Sequence, residues 1–134
     1  MNIALIAHDR KKEMLVQFCI AYSGIFSRHE LCATATTGRM ISEATGLTVS
    51  CVSSGMQGQE QIGARIPYDE IDLVLFFKDP LKTGPPERDA ELLRLCDMHS
   101  IPFATNAATA EVLIQGLLRG DLDWRNLLNA KGNG

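Results

Sequence analysis

Five short apolar runs divide the chain, at residues 3–7, 29–33, 48–52, 71–77 and 101–104. Apolar runs this short, bounded by turn-forming residues, read as strands buried in a parallel sheet. Between them lie segments with helical spacing. Residues 11–26 carry Met14, Leu15, Phe18, Cys19, Tyr22 and Ile25 on one face, and 37–45 stop at Gly46, a residue type that closes helices. Residues 57–66 turn Ile62 and Ile66 inward and end at Pro67. Helices over 89–99 and 107–118 follow, the last with Thr105 and Asn106 at its cap. Strand and helix alternate throughout. The expectation is therefore an α/β fold, a five-stranded parallel sheet between two helical layers with right-handed crossovers, as a single domain over 1–134. The run 71–77 is the most continuously apolar and is expected to be the most central strand. The segment from Asp121 is expected to add a helical turn before Lys131-Gly132-Asn133-Gly134 frays.

Three of the runs collapse abruptly into hydroxyl or charged residues that open a helix. Ile3 to Ala7 leads into His8, Asp9 and Lys12; Cys32-Ala33 leads into Thr34-Ala35-Thr36-Thr37-Gly38; and the run ending at Val52 leads into Ser53-Ser54-Gly55. In open parallel sheets, ligands collect outside the carboxyl ends of the strands, beside helix N-termini whose free N–H groups favour anions. Hydroxyl-rich strand ends with one lysine point to a pocket for a small phosphorylated molecule.

Composition narrows the partners. A net charge of −3 argues against bulk nucleic-acid binding, and Arg10-Lys11-Lys12, the only basic cluster, reads as a solvated helix start. Cys19, Cys32, Cys51 and Cys96 lack metal-like spacing and each lies in an apolar stretch, so four buried, reduced thiols are expected. Met1 runs directly into the first strand, no run approaches the length of a membrane span, and a soluble cytoplasmic protein is expected. Neither G-x-G-x-x-G nor a P-loop lysine occurs, so nothing supports a dinucleotide or nucleoside triphosphate site.

The segments 3–9 with Lys12, Ala33-Thr34-Ala35-Thr36-Thr37-Gly38, Ser54-Gly55, Phe76-Phe77-Lys78-Asp79-Pro80-Leu81, Leu92-Leu93-Arg94-Leu95 and Ile101-Pro102-Phe103-Ala104-Thr105-Asn106 resemble the methylglyoxal synthase family in order and spacing. The resemblance covers nearly the whole chain. It implies a flavodoxin-like three-layer sandwich assembled as a homohexamer, and elimination of phosphate from dihydroxyacetone phosphate without metal or organic cofactor. It also implies that Lys12, Thr34, Ala35, Thr36, Thr37, Ser54 and Gly55 hold the substrate phosphate, that His8 contacts substrate oxygens, and that Asp9, Asp79 and Asp89 handle protons. A lysine point charge with hydroxyl and backbone donors suits a phosphoryl group.

Two departures from the family pattern bear on catalysis. Family members read S-G-P-x-G-G-D after the third strand, and that aspartate is the base. Here the segment is Ser54-Gly55-Met56-Gln57-Gly58-Gln59-Glu60-Gln61-Ile62-Gly63, one residue shorter. Counting forward from Ser54 puts the base at Glu60, and counting back from Ile62 puts it at Gln59. The phosphate anchor at Ser54 and Gly55 favours Glu60. The second departure is Pro86, which stands where the family carries a histidine that bonds the reacting carbonyl. The expectation is a synthase whose activity these departures can reduce; the alternative is a phosphate- or phosphometabolite-binding regulatory module of the same fold that has lost the chemistry.

Overall fold

The computed structural model describes residues 1–84 and 87–125. Pro85, Pro86 and the tail from 126 on, including the expected fraying at 131–134, lie outside them. Five strands form one parallel sheet: β1 (Asn2–Ala7), β2 (Glu30–Thr34), β3 (Val49–Val52), β4 (Leu73–Phe77) and β5 (Phe103–Ala104). The order across the sheet is β3-β2-β1-β4-β5. The helices are α1 (Lys12–Ala21), α2 (Ser23–Phe26), α3 (Ala35–Thr45), α4 (Gly55–Arg65), α5 (Glu87–Met98) and α6 (Ala107–Arg119).

The three layers follow from the two-residue period of the strands. Ile3 and Leu5 of β1, with Leu73, Leu75 and Phe77 of β4, pack under Leu15 and Phe18 of α1, Ile41 of α3 and Ile114 of α6. The alternate residues Ala4, Ile6, Val74 and Phe76 meet Ile62 of α4 and Leu92 and Cys96 of α5 on the other face. The α/β/α sandwich is thus the expected one. Its strand order, 3-2-1-4-5, differs from the 2-1-3-4-5 of flavodoxin and puts the reversal of strand order between β1 and β4.

The middle strand is β1, not the run 71–77. Continuous hydrophobicity reports that both faces are covered, which β4 shares with β1, and so does not locate the centre. The edge strand β3 departs further, since Ser50 and Cys51 are exposed. Consequently Cys19, Cys32 and Cys96 are buried but Cys51 is not. Burial pushes the Cys19 and Cys96 thiols up to about 12, with Asp97 adding to the effect at Cys96.

The expected helix 11–26 is three pieces: a 3-10 turn at Asp9–Lys11, then α1, then α2 beyond a break at Tyr22. Its inward face is Leu15, Val16, Phe18 and Cys19, while Met14 is exposed. Pro67 does not end α4 but lies in a following 3-10 turn, Ile66–Tyr68, where its missing N–H costs nothing. Gly46 closes α3 at φ 77°, and the Asn106 carboxamide oxygen caps α6 by accepting the Thr109 N–H at 3.0 Å. Among the described residues no helix is long and apolar enough to cross a membrane.

Candidate active site

A cavity of about 560 Å³ opens over the carboxyl ends of β1 and β4, the crevice where the strand order reverses. Its floor comes from the ends of the strands. His8 follows β1 and extends the ladder by one bond, its N–H reaching the Phe77 carbonyl at 3.0 Å. The buried His8 ring stands edge-on to Phe76, 5.2 Å between centroids. Its Nδ1 accepts the backbone N–H of Asp79 at 2.8 Å, so the ring proton sits on Nε2 and is donated to Asp89 Oδ2 at 2.9 Å. The other oxygen of Asp89, Oδ1, accepts from the Gln59 amide at 3.0 Å. Burial raises the Asp89 pKa, but the bonds from Gln59 and His8 and the charge of Lys82 outweigh it. The carboxyl is held below its ordinary range.

Lys12 begins α1 and pairs with Asp9 Oδ1 at 3.0 Å. That hydrogen bond and its charge lower the Asp9 pKa. Across the cavity, α3 and α4 point their N-termini at the same space. Both N-cap residues, Thr34 (φ −63°, ψ 151°) and Ser54 (φ −74°, ψ 156°), are extended, and neither caps its helix through its side chain. First-turn N–H groups of an α-helix have no intrahelical acceptors, so two sets of donors with favourable dipoles are left for an anion. The two helix starts come close enough for Thr36 Oγ1 and Ser54 Oγ to lie 3.4 Å apart. Two glycines allow this approach. Gly55 opens α4 at φ 63°, and a Cβ on Gly58 would stand 1.7 Å from the Ser53 carbonyl oxygen.

Of the residues expected from sequence, His8, Asp9, Lys12, Thr34, Gly55 and Asp79 line the cavity. Ala35, Thr36 and Ser54 occupy the helix starts beside Thr34 and Gly55. Asp89 stands behind His8 and Gln59 as their shared acceptor. Thr37 differs: it is fully buried, and its hydroxyl finds no partner among the described residues. Asp79 Oδ1 accepts the Leu81 N–H at 2.9 Å, while no hydrogen bond to Oδ2 from a described residue is formed.

Glu60 does not reach the cavity. It is exposed, lies 3.6 Å from Arg88 Nη1, and borders a separate, mostly apolar groove between α4 and α5. Gln59 takes the inward place instead. The cause is rotational phase. Successive helix residues are about 100° apart, and α4 is locked by Ile62 against the sheet and Gly58 against Ser53. Gly55 and Gln59, four apart, therefore share the cavity face, and Glu60 swings off it. Because α4 begins at Gly55, the whole of the shorter segment lies within the helix, and its phase alone sets which side chain faces the cavity.

Sequence reasoning missed Arg10 and Lys82, which also line the cavity. Lys82 had a usable signal, since it follows a strand on the ligand-binding side of the sheet. Arg10 resembled any solvated helix-start residue. Among the described residues no group of three or more His, Cys, Asp or Glu side chains is placed to hold a metal.

Fold and cavity together define an α/β protein whose paired helix starts, beside an imidazole and several carboxylates, have the chemistry that suits a small anion. Comparison with known proteins assigns the family. The family model for the MGS-like domain matches residues 14–105. The methylglyoxal synthase of Caldicellulosiruptor saccharolyticus is 59% identical over 133 residues, covering 98% of this chain and 94% of its own. That of Thermoanaerobacter pseudethanolicus is 55% identical over 129 residues, covering 95% and 98%. The crystal structure of methylglyoxal synthase from Elizabethkingia anophelis superimposes with a TM-score of 0.77 at 38% identity, covering 84% of this chain and 76% of that one. The chain belongs to the methylglyoxal synthase family.

Proposed function

We propose that the chain acts as a carbon–oxygen lyase on dihydroxyacetone phosphate, releasing phosphate and methylglyoxal. Methylglyoxal synthase activity is what the relatives' names carry over at 53–59% identity across nearly the whole chain. The observation that carries the substrate class is the pair of side-chain-uncapped helix N-termini, α3 and α4, meeting beside Lys12. A phosphoryl group there receives backbone N–H donors, the Thr36 and Ser54 hydroxyls and one ammonium. Donors of this kind are already oriented and need no rearrangement as charge develops.

Deprotonation falls to Asp79. Asp9 projects into solvent with its charge paired to Lys12, Asp89 is engaged at both oxygens, and Glu60 is outside, whereas Asp79 lines the cavity with Oδ2 uncommitted. Asp79 takes a proton from the carbon bearing the free hydroxyl, and the C–H electron pair forms an enediolate. Collapse of the enediolate breaks the C–O bond to phosphate, which leaves with the bond's electron pair, and the resulting enol gains a proton at its terminal carbon as it loses its hydroxyl proton, giving methylglyoxal. Lys12 and Lys82 offset the negative charge that accumulates. A cytoplasmic homohexamer completes the proposal on family resemblance, and light scattering on the purified chain measures the assembly.

Incubation with dihydroxyacetone phosphate is expected to give methylglyoxal and inorganic phosphate in equal amounts, with the Asp79→Asn variant losing most of kcat. Absence of both products overturns the proposal. One observation favours the second reading, a phosphate-binding regulatory module: α4 presents the amide of Gln59, not a carboxylate, to the cavity. Phosphate raising the melting temperature without any turnover would establish that reading.

A further inference from the structure

One chain of hydrogen bonds runs from α4 to the loop after β4 through four residues. The Gln59 amide donates to Asp89 Oδ1 at 3.0 Å, His8 Nε2–H donates to Asp89 Oδ2 at 2.9 Å, and the Asp79 N–H donates to His8 Nδ1 at 2.8 Å. Each link constrains the next. With Oδ1 occupied by an amide donor, Asp89 offers Oδ2 to the imidazole. With its Nε2 proton engaged there, His8 presents Nδ1 as a lone-pair acceptor. That acceptor holds the backbone N–H of Asp79 and sets where the Asp79 carboxylate stands.

We propose that Gln59 is a positioning residue that, through Asp89 and His8, orients the Asp79 carboxylate toward the substrate carbon. The inference rests on the reading of Asp79 as the base. The groups facing Asp89 are Gln59 from α4, His8 from the end of β1 and Lys82 from the loop after β4, while its neighbour Arg88 is turned to Glu60. Gln59 is the only one of the three that cannot change charge, so it donates to Asp89 at every pH. A carboxylic acid in its place donates only while protonated, and two adjacent carboxyls share a proton because both cannot readily ionise together.

The test compares Gln59→Met and Gln59→Glu with the unaltered chain by kcat and KM across pH. Gln59→Met is expected to lose about a hundredfold in kcat with little change in KM, the loss typical of an approximately 1 Å misplacement. Gln59→Glu is expected to show a similar loss near about pH 8 and to recover most of it toward about pH 5.5, as a shared proton restores the donor. A residue that merely fills space gives no such pH-dependent rescue. The second readout needs no turnover: imidazole ¹⁵N shifts are expected to report the His8 proton on Nε2 in the unaltered chain and a mixture of tautomers in Gln59→Met. Unchanged tautomers in Gln59→Met overturn the positioning role whatever the activity. Altered tautomers with no turnover in the unaltered chain leave the positioning intact and count against the proposed reaction instead.

Discussion

Gly58→Ala tests whether the start of α4 is held where the cavity needs it. An added Cβ would lie 1.7 Å from the Ser53 carbonyl oxygen and 3.1 Å from Thr34 Cγ2. Even a close carbon–oxygen contact requires about 3.3 Å, so the helix start must retreat by roughly 1.5 Å. The obstacle is backbone, which cannot rotate aside, so the cost belongs near the upper end of the 1–3 kcal/mol typical of overpacking. Alanine's better helix propensity returns about 1 kcal/mol. The net is about 2 kcal/mol of destabilisation, or a melting temperature lower by roughly 5–10 °C. Gly55, Met56 and Gln59 move with the helix, and a displacement above 1 Å predicts a loss in kcat/KM of about a hundredfold or more. Gly63→Ala is the control on the same helix. Its Cβ would meet only the Leu92 and Leu95 methyls at 3.6 Å, an ordinary contact. That variant should gain up to about 1 kcal/mol and keep its activity. Calorimetry and steady-state kinetics on both proteins decide the matter. Gly58→Ala with unaltered stability and kcat/KM would refute the close seating of α4 on Ser53.

Three further outcomes follow from the same geometry. Lys12→Ala should reduce kcat/KM by about tenfold to a hundredfold, the worth of one charge-assisted hydrogen bond, with inorganic phosphate binding weakened in parallel by calorimetric titration. Glu60→Gln should leave kcat/KM within about twofold, since the side chain lies in the solvent beside Arg88; a loss of orders of magnitude would return Glu60 to the chemistry. Asp89 has a lowered folded pKa, so its ionisation favours the fold. That contribution is whole above the unfolded carboxylate value of about 3.9 and is lost as pH falls through the folded value. Asp89→Asn should therefore be less stable at neutral pH and lose less on acidification, as read from urea midpoints across the acid range.

The layering was legible because each strand announces itself as a short apolar run, and the odd and even residues of 3–6 segregate cleanly to two cores. The phosphate side of the cavity was legible for a related reason: ligands gather where strands end, and Thr34, His8, Gly55 and Lys12 lie at strand ends or within five residues beyond them. What failed were questions of rotation and neighbourhood. Glu60 and Gln59 are adjacent in sequence, and only the burial of Ile62 and the close packing of Gly58 decide which one faces inward. Thr37 looks like its hydroxyl neighbours but falls on the buried side of α3, its first turn already committed to the core. Burial of β4 on both faces mimicked a central position, and an edge strand with Cys51 turned outward carries no sequence mark that separates it from an inner one.

The most direct measurement is a crystal structure with a planar phosphorylated analogue of the enediolate bound. The analogue's phosphoryl group is expected between Lys12 and the first turns of α3 and α4, and the Asp79 carboxylate within hydrogen-bonding distance of the carbon framework's hydroxyl end. An analogue seated in the groove beside Glu60, or a phosphoryl group remote from both helix starts, would contradict this placement.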